Sequence, residues 1–293
     1  MTSIATKTEI LIEALPYIQR YEGKTFVVKY GGAAMVDEML CETFAQDVSL
    51  LKKIGIRIVI VHGGGKNITE IAGKLGIATE FVHGQRYTDG ATMDVVQMVL
   101  AGKTNKDIVV RINRHDGKAV GLCGVDADLL RVRKLEEAGL DFGLVGEVVA
   151  VNDTYLDLLL NNAVLPVIAP IGVNGRWQVY NVNADSAAAA IAAALGAEKL
   201  IYLSDVEGLI AGDGLIHSLT SNDAQKLIEA RVITDGMIPK VRSAFKALSD
   251  GVRKVHLIDG RVKHSLLLEI FTDEGVGTEL VGSAVRESIE MSA

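Results

Sequence analysis

The segment Ile56–His62 reads IRIVIVH, an unbroken β-forming run followed at once by three glycines and a helical stretch. A strand with no polar alternation is one buried on both faces. The surrounding chain repeats the same order of β run and helical spacing. Further strands are expected at Thr25–Tyr30, Ala119–Cys123, Leu129–Val132, Val145–Val151, Leu165–Ala169, Leu200–Leu203, Lys254–Leu257 and Leu267–Phe271. Helices are expected at 38–54, 66–75, 92–112, 154–162, 184–195, 221–231 and 240–251. This alternation predicts an α/β fold, an open and mostly parallel sheet sandwiched by helices. The stretch 119–151 is β-rich without a long helix and reads as a hairpin-like insertion, a candidate lid. Residues 4–21 add an N-terminal amphipathic helix, with capping-box spacing between Thr6 and Glu9 and a kink expected at Pro16. The chain divides into 1–22, 23–195 and 196–293, the last boundary falling where an Ala-rich helix ends at Gly196.

Of 293 residues, 49% are apolar, enough for a large core. The net charge of −7, without a basic block, argues against a nucleic-acid groove or an anionic membrane surface. Cys41 and Cys123 are far apart and read as buried reduced thiols, in keeping with the cytoplasm. No secretory leader is evident, and the longest Ala/Ile/Leu run, Ala187–Leu195, is too short to span a bilayer.

Several motifs are missing. Gly23-Lys24-Thr25 and Gly102-Lys103-Thr104 have P-loop ends, but Ile18 and Gln97 replace the first glycine. Gly63 and Gly65 are followed by Ile68 where a dinucleotide motif needs a third glycine. The six histidines form no zinc pattern, and no metal-ligand set is expected. No hydrolase elbow is present.

Four constellations can carry chemistry. Lys29-Tyr30-Gly31-Gly32 closes the first strand, where a lysine beside free backbone N–H groups suits phosphate oxygens or is a surface lysine before a turn. His62-Gly63-Gly64-Gly65-Lys66 joins a buried strand to a helix N-terminus, a site that favours anions. Asn181, Asn183 and Asp185 alternate. An extended stretch would face them one way, with Asp185 either capping a helix or orienting a cation such as Lys29. Lys240 follows Pro239 at a helix start, where a cation opposes the helix dipole unless an anion sits nearby. Arg86 can grip a carboxylate bidentately or pair with Asp89. Ser204-Asp205-Val206-Glu207-Gly208 reads as a nucleotide-side loop or a plain polar turn.

Taken in order, Lys29-Tyr-Gly-Gly, His62-Gly-Gly-Gly, Arg86-Tyr-Thr-Asp, Met98-Val-Leu-Ala-Gly-Lys-Thr-Asn-Lys106, Gly117-Lys-Ala-Val-Gly-Leu, Asn181-Val-Asn-Ala-Asp185, Ser204-Asp-Val-Glu-Gly, Gly236-Met-Ile-Pro-Lys240 and Gly275-Val-Gly-Thr278 resemble the amino-acid kinase family, most closely its members that phosphorylate N-acetyl-L-glutamate. The resemblance covers roughly residues 25–282. It implies an amino-acid-binding lobe at 23–195 and a lobe for ATP with Mg²⁺ at 196–293. By position, Lys29 and Lys240 would stabilise the transferring phosphoryl group and Asp185 would organise both. Gly64, Gly65, Arg86, Asn181 and Asn183 would meet the substrate. Gly31, Gly32, Ser204, Asp205, Gly208, Val232 and Thr234 would lie on the nucleotide side. The added N-terminal helix resembles the arginine-inhibited, hexameric members, which implies an arginine effector near Tyr17, Lys199, Glu269, Gly275 and Gly277. Cys123-Gly-Val-Asp-Ala127 departs mildly from the family's Ser-Gly-x-Asp-Gly. Rival readings keep the fold with another acceptor (aspartate, glutamate, carbamate or a nucleoside monophosphate) or make the chain a non-catalytic sensor of ATP and an amino acid.

Overall fold

The doubly buried strands take their places in one eight-stranded sheet. Its order is Ser218–Thr220, Thr278–Val281, Lys254–Asp259, Lys199–Ser204, Thr25–Tyr30, Arg57–His62, Leu165–Ala169 and Ala119–Cys123. The structure, a computed structural model, describes residues 4–137, 139–212, 214–233, 237–272 and 275–282. Six of the strands run parallel. Thr278–Val281 pairs antiparallel with Lys254–Asp259, and Ser218–Thr220 follows it in parallel. Parallel strands with both faces covered need no alternation. Accordingly Val27, Val28, Val59, Ile60, Leu200 and Ile201 are all fully buried, although they point to opposite faces. Two apolar clusters result, one on each side of the sheet. Among the described residues, no helix is long and apolar enough to cross a membrane.

Three expectations are corrected. Ala119–Cys123 is not part of the insertion. It is the edge strand of the main sheet, paired with Leu165–Ala169. The insertion instead forms a small closed barrel from Leu130–Lys134, Val145–Val151, Ile171–Val173 and Val179–Val182. The expected strand at Leu267–Phe271 is the helix Ser265–Phe271. Short apolar runs do not distinguish the two periods. Here Leu266 and Ile270, four apart, are buried together, and Glu269 between them turns inward to a histidine. Finally, Cys41 is buried but Cys123 is only half-buried.

The N-terminal helix spans Ile4–Tyr21, two residues earlier than its capping box suggested, and Pro16 lies inside it without ending it. The expected helix at 92–112 is a rod of three parts: Gly90–Gln97, a π-helical stretch Met98–Thr104, and Asn105–Arg114. Asp89 caps its start by accepting from Thr92 N–H.

The departure at Ala127 has a conformational cost. Its φ is +51°, in the left-handed region that favours glycine. An L-residue there loses about 1–2 kcal/mol, against about 0.4–1 kcal/mol for the entropy of a glycine. Ala127→Gly is therefore expected to raise stability by roughly 0.5–1 kcal/mol, read as a rise in the midpoint of chemical denaturation.

Candidate active site

Strand Thr25–Tyr30 sits mid-sheet, with Arg57–His62 on one side and Lys199–Ser204 on the other. The chain runs from it to Arg57–His62, whereas from Lys199–Ser204 it runs on to the strands of the opposite side. A crevice opens at the carboxyl ends of such strands, and open α/β sheets bind ligands there. Lys29 stands at this end, opposite Tyr202 and Val61 in register. The helix Ala184–Ala194 packs over the same strands. Ala187, Ala188 and Ala192 are fully buried, and their small side chains let its axis come close. Asp185 in its first turn thereby meets Lys29, with Nζ to Oδ1 at 3.1 Å. From the helix Met237–Ser249, Lys240 reaches the other oxygen, with Nζ to Oδ2 at 2.6 Å. Two ammonium groups, 211 positions apart in the chain, thus share one carboxylate.

The three side chains are 12–19% exposed, so desolvation matters. Burial pushes the Asp185 carboxyl up, but Lys29 and Lys240 outweigh it and hold the acid below its ordinary range. Burial pulls Lys240 down, with Asp185 opposing and Lys29 assisting. Tyr202 and Ser243, neither singled out in the sequence, brace the group. The Tyr202 hydroxyl donates to the Asp185 carbonyl at 3.3 Å and lies 3.1 Å from Ser243 Oγ. Its ring lies 5.2 Å from Lys240 Nζ. The signal was a tyrosine inside an apolar strand, whose hydroxyl must find a partner when buried.

Two glycine turns border the crevice. Gly31 lies against Lys29: a Cβ there would stand 2.7 Å from Nζ. Gly32 has φ +68°, and its missing side chain leaves room for the Asp205 carboxylate, which accepts from Ala33 N–H at 2.5 Å. Gly32, Gly64, Gly65, Lys66 and Asn67 line a cavity of about 230 Å³. A Cβ on Gly64 would collide with Leu100 of the π-helical stretch.

Arg86 is buried and has no ion pair with Asp89, which is engaged as a helix cap. One terminal nitrogen donates to Gly65 O and to Thr69 Oγ1, both at 2.9 Å, while the guanidinium stacks over Phe81 at 4.7 Å. The other, Nη1, is buried and has no hydrogen-bond partner among the described residues. A stranded buried donor on an arginine marks a place for an anion. Asn181 donates to Thr88 Oγ1 at 3.2 Å. Asn183 is the cap of the Asp185 helix, its Oδ1 accepting from the N–H groups of residues 185 and 186. The capping role considered for Asp185 thus falls to Asn183. The three residues do not share an extended face, because Asp185 is already helical.

On the other side of the sheet's centre, Ser204 accepts from Gly260 N–H and Gly208 backs onto Thr278. Val232 is exposed; Thr234 lies outside the described residues. Away from this crevice, Lys199 is buried, 2.9 Å from His256 Nε2, whose Nδ1 meets Glu269 at 2.5 Å. Burial brings the Lys199 amine down to about 8. Val276 N–H donates to Glu269, and Gly275, at φ +62°, lies against the same carboxylate. Gly277 packs on the Leu257 carbonyl, and Tyr17 of the N-terminal helix meets Phe271 edge-on.

The sequence profile described as "Amino acid kinase family" matches residues 24–259. Acetylglutamate kinase of Chlorobaculum tepidum is 57% identical over 278 residues, covering 95% of this chain and 97% of the relative. The chain belongs to the amino acid kinase family, among its acetylglutamate kinases. The acetylglutamate kinase of Aquifex aeolicus agrees, at 54% identity over 96% of this chain and 99% of its own. The solved N-acetylglutamate synthase of Neisseria gonorrhoeae, in complex with coenzyme A and N-acetyl-glutamate, superposes with a TM-score of 0.85 at 27% identity. That match covers 96% of this chain but only 64% of the synthase. Carbamate kinase of Giardia lamblia shares the fold alone, with a TM-score of 0.62 at 14% identity, 89% of this chain and 99% of that one being covered. The chain is thus a kinase with a carboxyl group as acceptor.

Asp185→Asn would leave two half-buried cations without their counter-charge. A loss of about 3 kcal/mol at neutral pH is expected. Because the acid is held below its usual range, its stabilisation is present at neutral pH and disappears only as pH falls through that depressed value. Denaturation of wild type and variant from pH 7 to pH 2 should show the gap closing in acid. A pH-independent gap would count against the charge argument.

Proposed function

We propose that this enzyme transfers the γ-phosphoryl group of ATP to the side-chain carboxylate of N-acetyl-L-glutamate, in arginine biosynthesis. The observation that carries the reading is the pair of ammonium groups on Asp185, set at the carboxyl ends of the central strands, and a second basic group is the Arg86 guanidinium bonded to Gly65 of the glycine turn. The acceptor carboxylate is ionised at neutral pH, so no general base is needed. The obstacle is the approach of two anions. Lys29 and Lys240 neutralise charge on the transferring group, with Asp185 keeping both in place. Backbone N–H groups of Gly32, Gly64 and Gly65 supply further donors, and Gly31 leaves space for the Lys29 amine. Arg86 Nη1 takes the substrate's α-carboxylate, and Asn181 and Asn183 face its acyl end.

In this reading residues 23–195 carry the amino-acid substrate and 196–293 the nucleotide, with Ser204, Asp205, Gly208 and Val232 on its side. Mg²⁺, bound with the nucleotide, supplies positive charge to the phosphate oxygens. An anion cradle of lysines and glycine amides fits a magnesium nucleotide better than a bare cation.

The decisive assay offers ATP with N-acetylglutamate, aspartate, glutamate, carbamate and a nucleoside monophosphate. Turnover is expected with N-acetylglutamate, and preference for another acceptor would sink the assignment. Lys29→Ala or Lys240→Ala is expected to lower kcat by about 10²-fold or more. A near-wild-type rate would remove that lysine from the mechanism.

Feedback inhibition by arginine is favoured by a separate observation. The Lys199–His256–Glu269 network is buried where the N-terminal helix meets the helix Ser265–Phe271. A carboxylate and a cation placed there suit a zwitterionic, guanidinium-bearing ligand. Residues 1–22 would interlace protomers of a homo-oligomer, a hexamer being the proposed state. Deleting residues 1–20 should reduce the oligomer on gel filtration and abolish inhibition by arginine. An unchanged size would count against interlacing.

A further inference from the structure

His62 ends a strand whose other residues are nearly all apolar, and it is completely buried. Its Nδ1 lies 2.8 Å from Gly63 O. Its Nε2 lies 3.2 Å from Asn105 Nδ2. The orientation of the Asn105 amide is fixed by its surroundings. The same Nδ2 faces two carbonyls, Leu122 O at 3.2 Å and Val167 O at 2.9 Å, while Oδ1 accepts from Lys106 Nζ at 3.1 Å. Turning the amide over would set an oxygen against two oxygens. Nδ2 carries hydrogens and cannot accept one, so the Nε2 that faces it is unprotonated, the imidazole proton resides on Nδ1, and Nδ1–H donates to Gly63 O. Burial brings the ring down to about 4, so it stays neutral at physiological pH.

This fixes the plane of the next peptide. In a trans peptide the carbonyl and the following N–H point in opposite directions. Glycine supplies no Cβ to resist rotation of that plane, so the loop needs an external hold. Drawing Gly63 O inward onto the ring turns Gly64 N–H outward. Among the described residues, neither Gly64 nor Gly65 N–H has an intramolecular acceptor, and both glycines line the 230 Å³ cavity. The asparagine is built in with equal care: a Cβ on Gly121 would collide with its Oδ1.

We propose that His62, locked in one tautomer by Asn105, is the positioning residue of the glycine loop and aims Gly64 N–H at the transferring phosphoryl group. This rests on the phosphotransfer reading above. The pair acts through a peptide plane and touches no reactant. Its loss should fall on kcat rather than on nucleotide affinity, because a misaimed donor costs most where charge develops.

Three substitutions separate this from mere packing. His62→Phe fills the space without a donor. His62→Asn restores an N–H where Nδ1 stood, and His62→Gln places its amide towards Asn105 instead. His62→Phe and His62→Gln are expected to lower kcat by roughly 10–100-fold, with the KM for ATP within about 3-fold of wild type. His62→Asn should recover most of that rate. Equal losses in His62→Asn and His62→Gln, or a wild-type kcat in His62→Phe, would overturn the proposal. Should His62→Phe fail to fold, the Asn and Gln pair alone decides. Crystal structures of that pair provide a readout that does not depend on the acceptor. The Gly63–Gly64 plane should match wild type in His62→Asn and be turned in His62→Gln; the same plane in both overturns the positioning role. An inactive wild type with N-acetylglutamate would sink the functional assignment and leave this crystallographic comparison to judge His62.

Discussion

Two positive charges brought together out of bulk water repel one another, and the site exists because one acid stands between them. Asp185 offers one oxygen to each lysine. In water such a triad would be weak, since exposed ion pairs contribute little. Here the side chains are largely shielded, so the shared carboxylate is needed to keep both amines charged and close. The arrangement is net cationic, which suits an anionic ligand.

The rest of the fold serves that contact. A parallel sheet places strand ends and helix starts along one rim, and a central strand with neighbours on both sides opens the crevice. The alanine surface of the helix Ala184–Ala194 then sets how near Asp185 comes to Lys29. Larger residues at Ala187, Ala188 and Ala192 would lift the helix and stretch both ion pairs together. Tyr202, on the strand next to Lys29, ties the backbone of that helix to Ser243 on the Lys240 helix. Three elements therefore agree on one carboxylate position.

Much of this was legible in the residues. Lys240 looked out of place for structure alone, since a cation at a helix start opposes the dipole, whereas Lys29 and Asp185 also admitted plain readings as a surface lysine and a helix cap. The parallel order followed from runs such as IRIVIVH. What escaped was what depends on packing between distant segments. LLLEIF carries no period that tells helix from strand, and its inward Glu269 is explained only by His256 on a strand 13 residues earlier. The brace by Tyr202 and Ser243 joins positions with no shared motif. Asn105 and His62 both lay in quoted motifs, yet their pairing needed the sheet to bring residues 43 positions apart into contact.

The π-helical stretch Met98–Thr104 fills the space beside Gly64 with Leu100 and delivers Asn105 at its exit. A wider turn sets the angular phase of everything after it. In a regular α-helix each residue advances about 100° around the axis. Winding the same seven residues as a regular α-helix would over-rotate everything after them and swing Asn105 off the imidazole. The distortion thus works as a phase adjuster, letting one long rod serve an apolar contact and a polar one that a uniform helix could not satisfy together.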